Sequence, residues 1–175
     1  MTTVELAQAG KYLTFSLGLE LYGLEILRVQ EIVGMLPVTR VPRLPDYVAG
    51  VVNLRGRIIP VVDIRRVFGM SELAYTERTC IVVVRVERGS TSGSTVMGVI
   101  VDEVSDVLDL VAEDIEETPE FGEELDTSFI KGVGRIDTHV VLLLDIDRVL
   151  SAQELSYVEQ AARSEAADQA TGGDS

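Results

Sequence analysis

The sequence predicts a mostly β protein in which one small β-rich unit occurs twice, and three observations support this. The first is a hairpin pattern in residues 47–68, where the apolar runs VVNL and IIPVVDI flank a turn at Arg55-Gly56. Glycine accepts the positive φ that a tight turn often needs. The second is that this stretch matches residues 129–150 at an offset of 82, with six identities. The third is a match of residues 22–33 with 97–108 at an offset of 75. Repeated matches in one order indicate a duplication.

The length and composition place both copies in one domain. With 175 residues, 46% of them apolar, and a mean hydropathy of +0.24, the chain can bury a sizeable core. Two units of roughly 70–80 residues are each marginally stable alone, so we expect them to share an apolar interface. The predicted organisation is a single domain over residues 11–163, with a first unit at about 11–70, a second unit at about 78–150, a C-terminal helix at 151–163, and flexible tails at 1–10 and 164–175.

The first copy opens with strands and ends with a short helix. YLTFSLG and LYGLEI alternate apolar and polar residues around a glycine, which is typical of a hairpin half-buried on one face. LRVQEIVG fits either a short helix or a continuing strand. Pro37, Pro42 and Pro45 predict an extended connector or an edge strand. After the central hairpin, DIRRVFG predicts a short helix that is capped by Asp63 and ends at Gly69.

The second copy repeats this order. TCIVVVRVE and TVMGVIVDEV predict two strands, and the linker RGSTSGS between them is expected to be a mobile hairpin tip. An acidic connector follows at 109–128, with one short helical turn expected before Pro119. FIKGVGRI and HVVLLLDI predict the second hairpin, and DIDRVL predicts the second short helix. Ser151, with Glu154 three positions on, predicts the cap of a terminal amphipathic helix, whereas the residues from Ser164 onward have nothing to bury.

Charge is divided unevenly along the chain, whose formal net charge is −14. Residues 1–70 hold eight Lys/Arg and six Asp/Glu, or +2, which leaves seven bases and 23 acids, or −16, for residues 71–175. Net acidity repels nucleic-acid phosphate and anionic membrane, so neither is expected as a partner. The opposite signs of the two parts are consistent with two solvated faces or with head-to-tail association.

The sequence contains no pattern for export or membrane spanning. Its start, MTTVELAQAGKYLTF, has no basic region followed by an apolar run, and no stretch approaches the ~18 consecutive apolar residues of a spanning helix. We therefore expect a cytoplasmic protein without membrane insertion. Cys80 is the single cysteine and cannot form an internal disulfide. It is expected to be a buried packing residue rather than a reactive thiol.

No candidate for catalysis or metal binding completes a site in the sequence. His139 lies beside a predicted turn, and a surface role is favoured because no Cys or second His completes a site. GVGRID, from Gly132, lacks the third glycine of a dinucleotide loop and falls inside a hairpin. Asp102, Asp106 and Asp109 lack the calcium-loop pattern, so solvated carboxylates are favoured over a cation site. We therefore expect no enzymatic activity, no cofactor and no bound metal.

With no catalytic site predicted, the informative features are surfaces. A duplicated unit offers a groove between its two copies. Arg55 at the hairpin tip is either an exposed turn residue or a polar anchor for a partner, and the residues alone leave both interpretations open. The second copy has Asp137 at the equivalent position, so the fold itself does not require a base there.

Several segments together resemble a known family: YLTFSLGLELYGLEILRVQEIVG, TRVP, YVAGVVNLRGRIIPVVDIRRVFG, GVIVDEVSDVLDL, PEFG, FIKGVGRID and LLLDIDRVL. They closely resemble the CheW-like coupling proteins of bacterial chemotaxis over about residues 11–151, and NLRG with VQEI is quite specific to that family. The resemblance implies two five-stranded SH3-like β-barrels that share a core. It also implies a non-enzymatic adaptor that bridges the cytoplasmic tip of methyl-accepting chemotaxis proteins to the regulatory domain of the chemotaxis histidine kinase. Such adaptors are recruited to membrane-bound receptor arrays.

The resemblance also implies site residues by position. It implies receptor contact, at the groove between the barrels, by four residues of VQEI and NLRG: Val29, Glu31, Arg55 and Gly56. It implies kinase contact through both barrels, including Glu120 and Phe121. The segment before these two residues, IEETP at 115–119, keeps the second of the two prolines that the family usually has there.

Two other classes of protein are the alternatives. One is a β-barrel enzyme or a nucleic-acid binder. The sequence argues against both, because it has only nine aromatic residues, a single histidine and no basic face overall. The other is a close family neighbour, either the kinase's own regulatory domain or a coupling protein fused to a response regulator, whose extra segments do not fit in 175 residues. Thermal stabilisation by a receptor-tip peptide or kinase domain, and not by nucleotides or metals, would identify the adaptor.

Overall fold

The computed structural model describes residues 9–70, 74–87, 94–119 and 127–172, and strands predominate over helices in this part of the chain. The first half, residues 9–70, contains β1 Gly10–Leu17, β2 Glu20–Glu25, β3 Val29–Gly34, β4 Val48–Leu54, β5 Arg57–Asp63 and α1 Ile64–Val67. The second half, residues 74–172, contains β6 Cys80–Val86, β7 Thr95–Val101, β8 Glu103–Leu110, β9 Ile115–Glu116, β10 Ile130–Ile136, β11 His139–Leu144, α2 Ile146–Val149 and α3 Ala152–Gly172. The mostly β class is confirmed.

The duplication is visible in the backbone. Shifting β4 and α1 by 82 positions places them on β10 and α2 residue for residue, and β5 falls on β11 with one residue to spare. Both hairpins also have a register irregularity at the same place, between Val48 and Gly50 in one and between Ile130 and Gly132 in the other. The two copies therefore share bulges as well as strands.

Each of these hairpins leads into a short helix with an aspartate cap. Asp63 Oδ1 accepts a hydrogen bond from the Arg65 amide at 3.1 Å, and Asp145 Oδ1 accepts one from the Asp147 amide at 3.1 Å. Gly69 follows the first helix with a φ of 70°, a conformation that glycine adopts at little cost. The predicted cap at Asp63 and the predicted stop at Gly69 are both confirmed.

The strands form two sheets, and each sheet contains strands from both halves. Sheet 1 has the order β8-β1-β2-β11-β10-β9, and sheet 2 has the order β3-β6-β7-β5-β4. The first hairpin of each half, β1-β2 or β6-β7, therefore pairs with the second hairpin of the other half. The two predicted units, at about 11–70 and 78–150, are repeats in sequence, but the prediction that each barrel is a continuous stretch of chain is wrong.

This exchange of hairpins rests on two parallel contacts. β5 pairs with β7, where Val61 lies opposite Gly98, and β11 pairs with β2, where Leu143 lies opposite Gly23. A Cβ atom at Gly98 would lie 2.6 Å from Ile81 Cγ2 of β6, in the same half, and 3.3 Å from Val61 Cγ2 of β5, across the parallel contact, so β7 requires glycine at this position. The strands have similar apolar patterns in both halves. Because such a pattern fixes the buried face and not the partner strand, it does not reveal that pairing crosses between the halves.

Both faces of the sheets are buried in apolar clusters. The largest cluster takes residues from both sheets and both halves, among them Phe15, Tyr22, Val84, Met97 and Leu144. Smaller clusters cover the other faces: Val52, Leu54, Ile59, Val61, Ile81, Val83 and Ile100 in sheet 2, and Tyr12, Leu110, Val141 and Leu143 in sheet 1. The shared core that the sequence predicts is therefore present.

Each sheet is curved. The segment that follows the strand at one edge of the sheet pairs with a strand at the opposite edge. In sheet 2, the proline-rich segment after β3 is an extended connector, as predicted, and its Thr39 exchanges two backbone hydrogen bonds of 2.8 Å with Val51 of β4. In sheet 1, β9 follows β8 and pairs with β10, with Glu116 opposite Val133. Val51 and Val133 are equivalent positions of the repeat. These pairings are compatible with SH3-like barrels, although within the described residues the strand ladders stay open.

Helix α3 packs on β4 and β5 of sheet 2 and is longer than predicted. Its cap is confirmed, since the Glu154 amide donates to Ser151 Oγ at 3.1 Å and the Ser151 amide donates to Glu154 Oε1 at 2.9 Å. One side of the helix is buried in the shared core: Leu155, Val158 and Ala161. The predicted helix end at Arg163 is wrong because residues 164–172 include three Ala, one Glu and one Gln, which favour extension of an existing helix to Gly172.

The remaining element predictions have mixed outcomes. The segment LRVQEIVG begins within a 3-10 turn at Ile26–Arg28 and then continues as β3. The acidic connector contains the expected short turn, a 3-10 turn at Ala112–Asp114. Residues 1–8 of the predicted leader and residues 88–93 of the predicted mobile linker lie outside the described residues. Among the helices that the structure describes, none is long and apolar enough to cross a membrane.

Candidate functional site

The turn between β4 and β5 is a two-residue hairpin whose two residues both have positive φ. Arg55 has φ 54° and Gly56 has φ 86°, the combination found in type I′ turns. The Gly56 amide donates a hydrogen bond to Asn53 Oδ1 at 2.7 Å. A Cβ atom at Gly56 would meet nothing within 4 Å, so this glycine serves the turn conformation. The turn holds Arg55 outward at the tip, as the sequence predicts.

Arg55 forms an ion pair with Glu31 of β3, through Nη2 and Oε2. β3 lies at one end of sheet 2 and the β4-β5 hairpin at the other, so the pair joins the two ends of the curved sheet. The Arg55 side chain is 69% exposed and that of Glu31 is 32% exposed. The hydrogen bond lowers the pKa of Glu31 and raises that of Arg55, which keeps both groups charged.

The structure separates the roles of two apolar residues on β3. Val29 pairs with Val84 of β6 and packs against the shared core, so it is a framework residue beneath the surface. Ile32, which the sequence analysis did not select, is 43% exposed and lies next to Glu31 in the strand. Ile32 lies opposite Val82 and Glu31 lies opposite Val83, so Ile32 is exposed on the other face of β3 from the ion pair. The alternation of half-buried and exposed residues along β3 is the signal that identifies it once the segment is known to be a strand.

The residues predicted to contact the kinase, Glu120 and Phe121, lie outside the described residues. The segment that leads to them is anchored on β10. Thr118 Oγ1 donates a hydrogen bond to the carbonyl oxygen of Ile130 at 3.2 Å, and Glu116 forms an ion pair with Arg135. The structure therefore fixes where this segment begins.

The equivalent site in the second copy has different chemistry. Asp137, at the β10-β11 tip, has φ 52°, close to that of Arg55. The position equivalent to Glu31 is Asp106, which is exposed and accepts a hydrogen bond from the Val107 amide at 2.8 Å. Two acidic residues cannot form an ion pair, so only the first copy carries the arginine–glutamate pair.

The structure also places the other candidate residues from the sequence. His139 is exposed at the start of β11. Asp102, predicted to be a solvated carboxylate, is instead partly buried and forms an ion pair with Arg65 at 3.3 Å. Cys80 is half-buried, and its burial raises the pKa of the thiol. Within the described ranges, no group of three or more His, Cys, Asp or Glu residues is placed to hold a metal ion.

Comparison with known proteins identifies the relatives of this chain. The family model of the CheW-like domain matches residues 11–154. The chain is 42% identical over 154 residues to the chemotaxis protein CheW of Klebsiella aerogenes, which covers 88% of this chain and 89% of that protein. It is 35% identical over 157 residues to the chemotaxis protein CheW of Rhizobium meliloti, with 85% and 97% covered.

A solved structure extends the similarity to three dimensions. The crystal structure of the scaffolding protein TtCheW from Thermoanaerobacter tengcongensis superposes with a TM-score of 0.72 at 30% identity, and the alignment covers 84% of this chain and 96% of that one. The matched family range, residues 11–154, includes both sheets and both hairpin tips. The chain therefore belongs to the CheW-like family, whose members are non-enzymatic adaptors of bacterial chemotaxis.

Proposed function

We propose that this chain couples the cytoplasmic tip of methyl-accepting chemotaxis proteins to the regulatory domain of the chemotaxis histidine kinase. Family membership supports an adaptor role in chemotaxis, and the resemblance of VQEI and NLRG supports these two partners. In this role the chain works in the cytoplasm and is recruited to membrane-bound receptor arrays through its partners. It needs no cofactor.

The receptor surface in this proposal is the end of sheet 2 formed by Glu31, Arg55 and Gly56, with Val29 in the framework beneath it. The observation that carries it is the ion pair between Arg55 and Glu31, which the second copy does not reproduce. The pair orients a guanidinium that still exposes most of its surface and has donors left for receptor carbonyl or carboxylate groups. Val29 packs against the shared core and supports the strand that carries Glu31.

The kinase surface in this proposal includes Glu120 and Phe121 and draws on both sheets. The anchored segment before these residues gives them a fixed point of attachment on β10. The charges support such a contact, because the first 70 residues carry +2 and the remainder −16. A partner of the same fold, presenting the opposite end, would be steered by this difference.

A pair of matched variants tests the receptor surface. Arg55→Asp gives the first tip the charge of the second, and Asp137→Arg gives the second tip the charge of the first. Both substitutions occur at exposed tip residues with nearly the same φ, so both should leave the fold intact. We expect Arg55→Asp to weaken binding to a receptor-tip fragment by about 10- to 100-fold, as for loss of an anchoring arginine, whereas Asp137→Arg changes it by less than about twofold.

Binding to the isolated kinase regulatory domain is the second readout. Arg55→Asp should retain it, because the substituted tip belongs to sheet 2, whereas the anchored segment that precedes Glu120 is held by sheet 1. A folded Arg55→Asp protein that binds the receptor tip normally would show that the receptor surface is elsewhere. Changes of similar size and opposite direction in the two variants would show that the tips act only through net charge.

A further inference from the structure

Two salt bridges connect the halves at equivalent places in the exchanged fold. In one, Arg65 of α1 contacts Asp102, in the bend between β7 and β8, with Nη1 and Oδ1 3.3 Å apart. In the other, Asp147 of α2 contacts Arg28, in the turn between β2 and β3, with Nη1 and Oδ2 2.9 Å apart. Each bridge therefore links the helix of one half to the segment that follows the first hairpin of the other half.

The two bridges have opposite polarity. Arg65 and Asp147 are equivalent under the 82-residue offset, yet one is a cation and the other an anion. Arg28 and Asp102 lie in the corresponding segment of each half, one position apart under the 75-residue offset, and are also of opposite sign. The first half therefore contributes a cation to both bridges, and the second half contributes an anion to both.

Both bridges are placed where charge matters. The side chains of Arg65 and Asp102 are 4% and 21% exposed, and those of Arg28 and Asp147 are 20% and 25% exposed. Further hydrogen bonds hold the anions, since Asp102 Oδ2 accepts from the Gly18 amide at 2.7 Å and Asp147 Oδ1 accepts from the Glu87 amide at 2.9 Å. Partly buried charges are screened less by water and salt than charges on an open surface.

A repeat of this kind has a competing arrangement. Because the copies are equivalent, each half could also close on itself, with β2 beside β5 in one half and β7 beside β11 in the other. In such a self-paired first half, α1 would take the place of α2 and bring Arg65 against Arg28. In a self-paired second half, Asp147 would meet Asp102. Both contacts would place like charges together.

We propose that the reversed polarity of the two bridges selects pairing between the halves and rejects pairing of a half with itself. The same rule applies between two copies of this chain, where it rejects first half with first half and second half with second half. Repulsion is required because the apolar patterns and the bulges of the two copies do not distinguish the alternatives. The four side chains thus determine which hairpin joins which sheet.

The test reverses one bridge without removing it. The double variant Arg28→Asp with Asp147→Arg keeps opposite charges at both native contacts, but it also makes both self-paired contacts attractive. The control is Arg28→Lys with Asp147→Glu, which keeps the original polarity. Both proteins are unfolded in urea and refolded by dilution, and the fraction recovered as monomer with native strand signals is measured by size exclusion and two-dimensional NMR.

We expect the reversed variant to recover native monomer at a yield at least about twofold below that of the control, with the remainder in self-paired or associated forms. A yield equal to that of the control overturns the proposal.

The neutral variant Arg28→Gln with Asp147→Asn removes the repulsion without adding attraction, and it should give a yield below that of the control. If the reversed variant does not refold, the neutral variant provides the test. A native-monomer yield of the neutral variant equal to that of the control then overturns the proposal. A yield loss accompanied by a melting temperature below that of the neutral variant also overturns it, because low stability would then explain the loss.

Discussion

The hairpins β4-β5 and β10-β11 follow the same backbone course and carry different chemistry at their tips. The tip residues Arg55 and Asp137 have φ values of 54° and 52°, and the bulges occur at equivalent positions. Yet Arg55 forms an ion pair with Glu31, whereas Asp137 has the acidic Asp106 as the equivalent neighbour. Folding requirements have kept the backbone the same, and the tip side chains are where the copies were free to diverge.

The same contrast holds for the helix caps at the base of each hairpin. Asp63 is 1% exposed, contacts Arg65 at 3.3 Å and accepts a hydrogen bond from the Tyr75 hydroxyl at 3.2 Å. The Asp145 side chain is 18% exposed and contacts Arg148 at 3.5 Å. Asp63 and Asp145 therefore have the same role as helix caps, but the negative charge of Asp63 is buried and that of Asp145 is partly exposed.

The largest expected effect comes from neutralising these two caps. Asparagine keeps the oxygen that caps the helix and removes the charge. We expect Asp63→Asn to lower the free energy of unfolding by about 2–4 kcal/mol, because a buried guanidinium loses one of its two carboxylates. We expect Asp145→Asn to lower it by less than about 1 kcal/mol, as for a partly exposed pair. Urea unfolding of both variants measures the difference, and equal losses would mean that the caps are energetically equivalent.

The next effect concerns the glycines of the two strands that pair in parallel, whose nearest neighbours are Ile81 of the same half for Gly98 and Leu143 of the other half for Gly23. A Cβ atom at Gly98 would lie 2.6 Å from Ile81 Cγ2, whereas one at Gly23 would lie 3.0 Å from Leu143 Cδ2, the end of a more flexible side chain. We expect Gly98→Ala to lower the free energy of unfolding by about 2–3 kcal/mol and Gly23→Ala by about 1 kcal/mol, since overpacking must be relieved by shifts in the core.

Gly34→Ala is the matched control for both glycine variants. Gly34 also lies in a strand, and a Cβ atom there would meet nothing within 4 Å. Its substitution should change the free energy of unfolding by less than about 0.5 kcal/mol, the usual scale away from packed contacts. A Gly23→Ala variant less stable than Gly98→Ala would show that the packing around Gly23 is tighter than the packing around Gly98, contrary to the distances above.

The predictions from sequence succeed where a residue type has a single structural role at its position, such as a helix cap or a tight turn. The offsets identify the repeat, Asp63 and Ser151 identify helix caps, and the central turn places Arg55 at a tip. The family resemblance then supplies VQEI and NLRG. These features depend on local geometry, which the local sequence specifies directly.

The misses concern features that local sequence does not specify. Apolar alternation is satisfied equally by pairing within or between halves, so the exchange of hairpins is invisible to it. The charges of Arg28, Arg65, Asp102 and Asp147 contain the missing information, but only as a set across both copies. The exposure of Ile32 was missed because a segment that fits either a helix or a strand has no defined exposed face.

A smaller effect should make the stabilisation by the Arg28–Asp147 bridge depend on pH. Burial acts to raise the pKa of Asp147, but hydrogen bonds from Arg28 and the Glu87 amide outweigh it, so the pKa lies below its usual value. A lowered pKa stabilises the fold at pH above the unfolded value of about 4, and this stabilisation is lost as pH falls through the folded value. Arg28→Gln should therefore cost about 1 kcal/mol at pH 7, since partial exposure limits the bridge, and progressively less towards pH 3.

The pH series is read from the difference between the unaltered chain and the variant. Urea unfolding at pH 7, 5 and 3 should show the two free energies converging as Asp147 takes up a proton. A difference that stays constant over this range would mean that Arg28 stabilises the fold through its hydrogen bonds to the Arg85 carbonyl, which do not titrate.

The smallest expected effect is the stability change at the tips themselves. Arg55→Asp removes an exposed ion pair, whose contribution in water is small, and places an acid near Glu31. It also replaces arginine at a φ of 54° with a residue that adopts this conformation more readily, which offsets part of the loss. Asp137→Arg makes the reverse exchange at a φ of 52°. We expect both melting temperatures to stay within about 2 °C of the unaltered chain. A larger fall in melting temperature for Arg55→Asp alone would show that the ion pair is needed to hold the two ends of sheet 2 together. Any loss of receptor binding in that variant would then result from a change in the sheet and not from the loss of a contact at the tip.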